Sequence, residues 1–231
     1  MKVITLEKAD EIHSILKRYR KSAQYKFRGQ SDFDWKLIPK AGRPEYSKVP
    51  DKEIFRHWKR RAISFLLNQK MSDWEYLAAA QHTGLPTRLL DWTHNPLVAA
   101  FFSANENLDK AGALWVTRPK TFIAENEDNP FDLKDKIHFY QPSTASPRVA
   151  NQYGYFTIHN EPSLELNEDT CELKTEIEKI LIPKEIKQDL IFSLNQYGIN
   201  YLTIYPDLEG LSKHLSWFCK EYEYWDGSIE E

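Results

Sequence analysis

Apolar positions along the chain change period several times, and each change marks an element. Ile12, Ile15, Leu16 and Tyr19 stand at i, i+3, i+4 and i+7, which predicts a helix over 6–20. The segment QYKFRGQ (24–30) is short and aromatic-flanked, and reads as a strand ending in a turn. Gly42 and Pro44 break the connection that follows. Phe55, Trp58, Ala62, Phe65 and Leu66 return to helical spacing and predict a long helix over 51–69. SDWE (72–75) is a capping box, so a helix from Asp73 should run to about Gln81 and stop at Gly84 and Pro86. Asn95 and Pro96 suit the cap and first residue of a further helix. Its sequence PLVAAFFSA is apolar nearly all round, hence buried.

The second half changes character. ALWVTRP, QYGYFTIH and IEKILIP read as strands, while 118–136 has no period and reads as loop. PKEIKQDLIFSLNQYG predicts a helix with Ile186, Leu190, Leu194 and Tyr197 inward and Gly198 as its stop. INYLTIYP reads as a last strand and DLEGLSKHLSWF as a short final helix, before a loosely held acidic tail. Neither an internal repeat nor a domain linker is visible. The partial segregation of helices and strands predicts an α+β fold: a single domain over 1–231, its helical N-terminal half packed on a mixed or antiparallel sheet.

Composition narrows the function classes. A net charge of −3 argues against a non-specific nucleic-acid binder, though it leaves room for a local basic groove. Cys171 and Cys219 are far apart without metal-ligand spacing, as expected of reduced, buried thiols in a cytosolic protein. MKVITLEKADEIHSILK has acids where a signal peptide needs an apolar region, and no run of about 18 apolar residues suggests a membrane span. A cytoplasmic, non-membrane protein is expected.

Four places carry candidate chemistry. QHTGLPTRLLDWTHNP (81–96) crowds Gln81, His82, Thr87, Arg88, Asp91 and Trp92 between two helices. It is either a loop pinned by its own network, with Arg88 pairing Asp91, or a ligand-contacting loop on a rigid scaffold. In FRGQ, Arg28 offers planar bidentate binding of phosphate or carboxylate, and Gly29 permits close backbone approach; Gln30 follows. SPRVANQYGYFTI adds Arg148 and Gln152. Glu176 and Glu178 share one strand face, as a site or as a solvated edge. His82 and Asp91 also suit a general acid–base pair, so a phosphodiester hydrolase or nuclease stays open.

Together YKFRGQSD, QHTGLPTRLLDWTHNPLVAAFFSA, PRVANQYGYF and YPDLEGL resemble the FRG-domain family over about residues 20–215. That family is bacterial and phage-associated. A more distant similarity is to arginine-type mono-ADP-ribosyltransferases, which have an Arg ending the first strand and a Glu-x-Glu pair leading into an apolar strand. Here Arg28 and Glu176/Glu178 stand in those places; Lys179 intervenes before Ile-Leu-Ile-Pro, and the Ser-Thr-Ser element is missing. The resemblance implies an ADP-ribosyltransferase-like fold and NAD as substrate, without a metal. Glu178, Arg28 and His82 would be catalytic. Arg28, Gln30, Gln81, Thr87, Arg88, Arg148 and Gln152 would bind the nucleotide. Gln81, His82, Thr87 and Arg88 would face the cleft, with Trp92 packed beneath and Asp91 holding the loop. It further implies a toxin or phage-defence effector with a nucleic-acid or protein target and an antitoxin or phage partner. The alternative is a non-catalytic module that binds a nucleotide or a phage component.

Overall fold

The computed structural model describes residues 2–66, 71–123, 129–133, 136–142, 154–171 and 175–221. Its strands are β1 (Lys2–Thr5), β2 (Lys26–Gln30), β3 (Leu89–Thr93), β4 (Gly112–Thr117), β5 (Ile137–Tyr140), β6 (Gly154–His159) and β7 (Ile177–Ile182). They form one sheet in the order β1-β7-β4-β2-β3-β6-β5. The β1–β7 pair is parallel and the others are antiparallel, so the sheet is mixed. The helices are α1 (Ile12–Leu16), α2 (Asp51–Ala62), α3 (Asp73–His82), α4 (Pro96–Ala104), α5 (Lys187–Gln196), α6 (Tyr201–Ile204) and α7 (Leu208–Glu221). The architecture is α+β. Among the described residues no helix is long and apolar enough to cross a membrane.

Helix boundaries follow local chemistry. Ser72 and Glu75 form the reciprocal capping box that starts α3. Gly84, at φ +90°, ends it with a backbone conformation that other residues rarely adopt. Asn95 caps α4 by accepting from the Leu97 N–H.

Strand register sorts the side chains into two faces. On one face, Phe27, Leu114, Val116, Ile180 and Ile182 pack against α1, α4 and α5. Farther along that face, Leu89, Phe156 and Ile158 pack against Phe55 of α2 and Trp74, Leu77 and Ala80 of α3. Two helical groups therefore cover one face side by side. The other face buries Leu90, Trp92, Trp115 and Phe139 under Leu37 and Leu166, which belong to loops.

Several expectations change. The block 81–96 contains a strand, because Leu89 and Leu90 are both buried, one on each face of β3. β1 and β5 are strands that the apolar pattern did not reveal. INYLTIYP is not a strand: Asn200 and Thr203 cap each other reciprocally and start α6, and this local closure overrides the β-branched content. The N-terminal helix is shorter than expected, a 3-10 turn at Ala9–Glu11 followed by α1. Cys171 is buried, but Cys219 is exposed on α7. Phe65 is 84% exposed rather than inward.

Candidate functional site

The pocket of interest begins with an incomplete ladder. β2 pairs with β4 through all five of its residues, but with β3 only at Phe27↔Thr93. Beyond that rung the strands diverge and leave a slot. Arg28 fills it: Nη1 donates to the Asp91 backbone carbonyl at 2.8 Å and lies 3.6 Å from the Asp91 carboxylate. The guanidinium thus substitutes for a missing ladder donor. Burial lowers the Arg28 pKa, and the Asp91 charge opposes that shift. Its Nε is buried and has no hydrogen-bond partner.

The rest of the motif follows from the same geometry. A Cβ on Gly29 would lie 1.9 Å from the Ala99 carbonyl oxygen, so only glycine lets α4 lie this close on β2. Phe27 is a core side chain, 3% exposed.

Above the slot the two helical groups leave a space between them, a cavity of about 290 Å³. Arg28, Asp91, Gln81 and His82 line it, with Val98, Ala99 and Phe102 of α4 on one wall and Tyr155, Phe156 and Tyr205 completing it. This lies at the small end of ligand pockets, ~300–1,000 Å³, and has their usual make-up of rings around a few polar groups.

Those polar groups are aligned by a chain of hydrogen bonds. The Thr87 hydroxyl donates to Gln81 Oε1, and the Leu89 N–H donates to Thr87 Oγ1 at 3.1 Å. With its oxygen engaged, Gln81 turns its Nε2 to the Asp91 carboxylate, at 2.9 Å. Asp91 is 58% exposed, so this carboxylate is both oriented and accessible.

The remaining expected residues go elsewhere. Thr87 and Arg88 do not face the pocket; they are 1% and 6% exposed. Arg88 pairs not with Asp91 but with Asp51 at the start of α2, through Nε at 2.8 Å and Nη2 at 2.9 Å. Its Nη1 donates to the Asn160 carbonyl at 3.1 Å, and its guanidinium stacks on Phe131. Gln30 accepts from the Trp115 indole at 2.6 Å and donates to the Lys36 carbonyl at 3.3 Å. Glu178 lies on β7, with β4 between it and β2. Its register partner is Val116, which pairs with Phe27, so Glu178 belongs to the alternate row from Arg28. There it accepts from the Tyr19 hydroxyl at 2.7 Å. Burial and that hydrogen bond push the Tyr19 pKa up. Glu176 is exposed just before β7. Arg148 and Gln152 lie outside the described residues.

Beneath Trp92 lies a buried relay that sequence reasoning missed. The Trp92 indole donates to Thr157 Oγ1 at 3.3 Å, Thr157 Oγ1 is 3.3 Å from His159 Nε2, and His159 Nδ1 donates to the Leu164 carbonyl at 2.8 Å. Burial pushes the His159 pKa down to about 4, helped by the charges of Arg28 and Arg88, so the imidazole is neutral at pH 7. Lys26, stacked 4.3 Å from the Tyr155 ring centroid, is lowered to about 8 by burial. Phe102, Tyr155 and Tyr205 were missed as lining residues because aromatics read as core; only the FRG tripeptide beside the 81–92 block pointed here.

Comparison with curated proteins and with solved structures returned no match. A family model does match: the FRG domain, over residues 23–112. That span contains Phe27-Arg28-Gly29, Gln81, His82, Asp91 and the α4 wall, leaving Gly154, Tyr155, Phe156 and Tyr205 as the lining residues outside it. The matched span thus builds most of the pocket, and residues 23–112 carry the likeness to the FRG domain.

Proposed function

We propose that this protein recognises a nucleotide in the Arg28–Asp91 pocket and acts on NAD as an ADP-ribosyltransferase-like effector in toxicity or phage defence. The observation that carries the reading is the convergence of Arg28, an oriented and exposed Asp91 carboxylate and several aromatic rings on one cavity. A guanidinium lining such a cavity suits an anionic or carbonyl acceptor on a ligand. The rings suit a nicotinamide. Asp91 would face the positive charge that develops at the ribose anomeric carbon as the C1′–N bond breaks and its electron pair leaves with nicotinamide. The incoming nucleophile from water or a target bonds C1′, and His82 takes its proton. In this reading Asp91 holds the role that the resemblance gives Glu178.

Purified protein incubated with NAD, with and without RNA, DNA or protein acceptors, tests this. Nicotinamide release is expected, lost in Arg28→Ala and Asp91→Asn and retained in Glu178→Gln. Absence of both NAD binding and turnover sinks the reading. Binding without turnover selects a recognition module instead, a reading favoured by the existing Arg28–Asp91 pair, which leaves the pocket nearly charge-balanced. Since His82 and Asp91 share the pocket, a metal-dependent nuclease assay on wild type and His82→Ala is the control for hydrolysis.

A further inference from the structure

A second cavity adjoins the first. It measures about 670 Å³ and lies between α1 with its following turn and the start of α4. Phe27 lines both cavities, and the chain passes from one to the other at Thr93–His94 and again at Leu97–Val98. Its floor is apolar, from Leu16, Phe27, Pro96 and Leu97. Its rim is cationic: Lys17 and Arg20 stand three residues apart and are exposed, and neither has an ion-pair partner among the described residues. His94 lines the wall, and its Nδ1 is buried without a hydrogen-bond partner. The nearby carboxylate, Glu178, is masked by the Tyr19 hydroxyl. Two open cations over an apolar floor form a combination suited to an anion carried on an apolar group.

We propose that this cavity is a subsite for the phosphate-bearing, purine end of a nucleotide, with Lys17 and Arg20 on the phosphates and the apolar floor under the base. The assignment rests on the nucleotide reading of the neighbouring pocket, but the two are separable by ligand. The pocket at Arg28 takes the nicotinamide nucleoside, and the cavity at Lys17 takes the diphosphate.

Isothermal titration with ADP and, separately, with nicotinamide riboside distinguishes them. ADP affinity should fall at least about tenfold in Lys17→Ala/Arg20→Ala and lose most of its salt dependence, while Arg28→Ala leaves it unchanged. Nicotinamide riboside should show the reverse pattern. Both substituted side chains in the double variant are exposed, and an unchanged thermal midpoint checks its folding. ADP binding that ignores the double substitution, or no ADP binding at millimolar concentration, overturns the subsite. Failure of nicotinamide riboside alone overturns the reading of the first pocket and leaves the subsite standing.

Discussion

Two arginines from the same motif-bearing region meet opposite fates. Arg88 is closed: bidentate to Asp51, bonded to the Asn160 carbonyl, stacked on Phe131 and 6% exposed. Arg28 is open: one good hydrogen bond to a backbone carbonyl, a looser 3.6 Å contact to an exposed carboxylate, and an unpartnered Nε. Both stand beside an aspartate, so residue type does not separate them. Donor saturation does. A guanidinium whose donors are satisfied by the fold holds elements together, here α2 to β3 and to the chain after β6. One that lines a cavity and is only partly engaged by the fold is the better placed to meet a ligand.

The largest effect should come from breaking the closed pair. Arg88→Ala leaves the Asp51 carboxylate buried and unpaired, and a cost of about 3–5 kcal/mol is expected in urea unfolding. The double variant Asp51→Leu/Arg88→Met should recover much of that loss, since an apolar pair of similar bulk removes the stranded charge. If the single variant costs under about 1 kcal/mol, the distinction between the two arginines fails.

The open arginine should behave in the opposite way. Arg28→Ala is expected to change stability by less than about 1 kcal/mol, because the Asp91 it leaves behind is solvated. Ligand affinity should fall by about 1.5–3 kcal/mol, the range for a lost charged hydrogen bond, read by titration with nicotinamide riboside. Arg28→Lys keeps the charge but lacks the Nε–H and the planar fork, so it should rescue little of the binding.

How much of this was readable in advance depends on the kind of signal. Capping chemistry is local, so Ser72–Glu75 and Asn95–Pro96 announced α3 and α4 correctly. The convergence of FRG with the 81–92 block was legible as motif grouping. The division of labour within that block was not, because it depends on partners distant in sequence: Asp51 is 37 positions from Arg88, and Asp91 is 63 from Arg28. β3 hid for a related reason. With helices on one face and loops on the other, Leu89 and Leu90 are both buried and the period-2 alternation disappears. Asn200–Thr203 shows the reverse error, where tertiary-looking β content yielded to a two-residue cap.

His159 lies within the field of both arginines and so measures them together. Its folded pKa, about 4, is below the ordinary 6.5. The unfolded chain therefore binds the proton first on acidification. The stabilisation is full above pH 6.5 and is lost as pH falls from there towards 4. Between pH 7.5 and 5 the loss should be on the order of 2 kcal/mol. Urea titrations at the two pH values should show this component in wild type and not in His159→Gln. Arg28→Ala should raise the imidazole pKa modestly, which NMR titration of the ring reads directly.

The smallest effect tests how the open arginine's partner is held. Thr87→Val removes the hydroxyl that engages Gln81 Oε1 and also leaves the Leu89 N–H without its acceptor. A stability loss of about 1 kcal/mol is expected from these neutral hydrogen bonds. The informative readout is ligand binding. Without Thr87 to fix its amide, Gln81 can flip its oxygen towards Asp91, and two like dipoles would then turn the carboxylate away from Arg28. Affinity for nicotinamide riboside should drop several-fold in Thr87→Val and return in Thr87→Ser, which keeps the hydroxyl. Equal affinity in all three proteins would show that Asp91 is positioned by Arg28 alone.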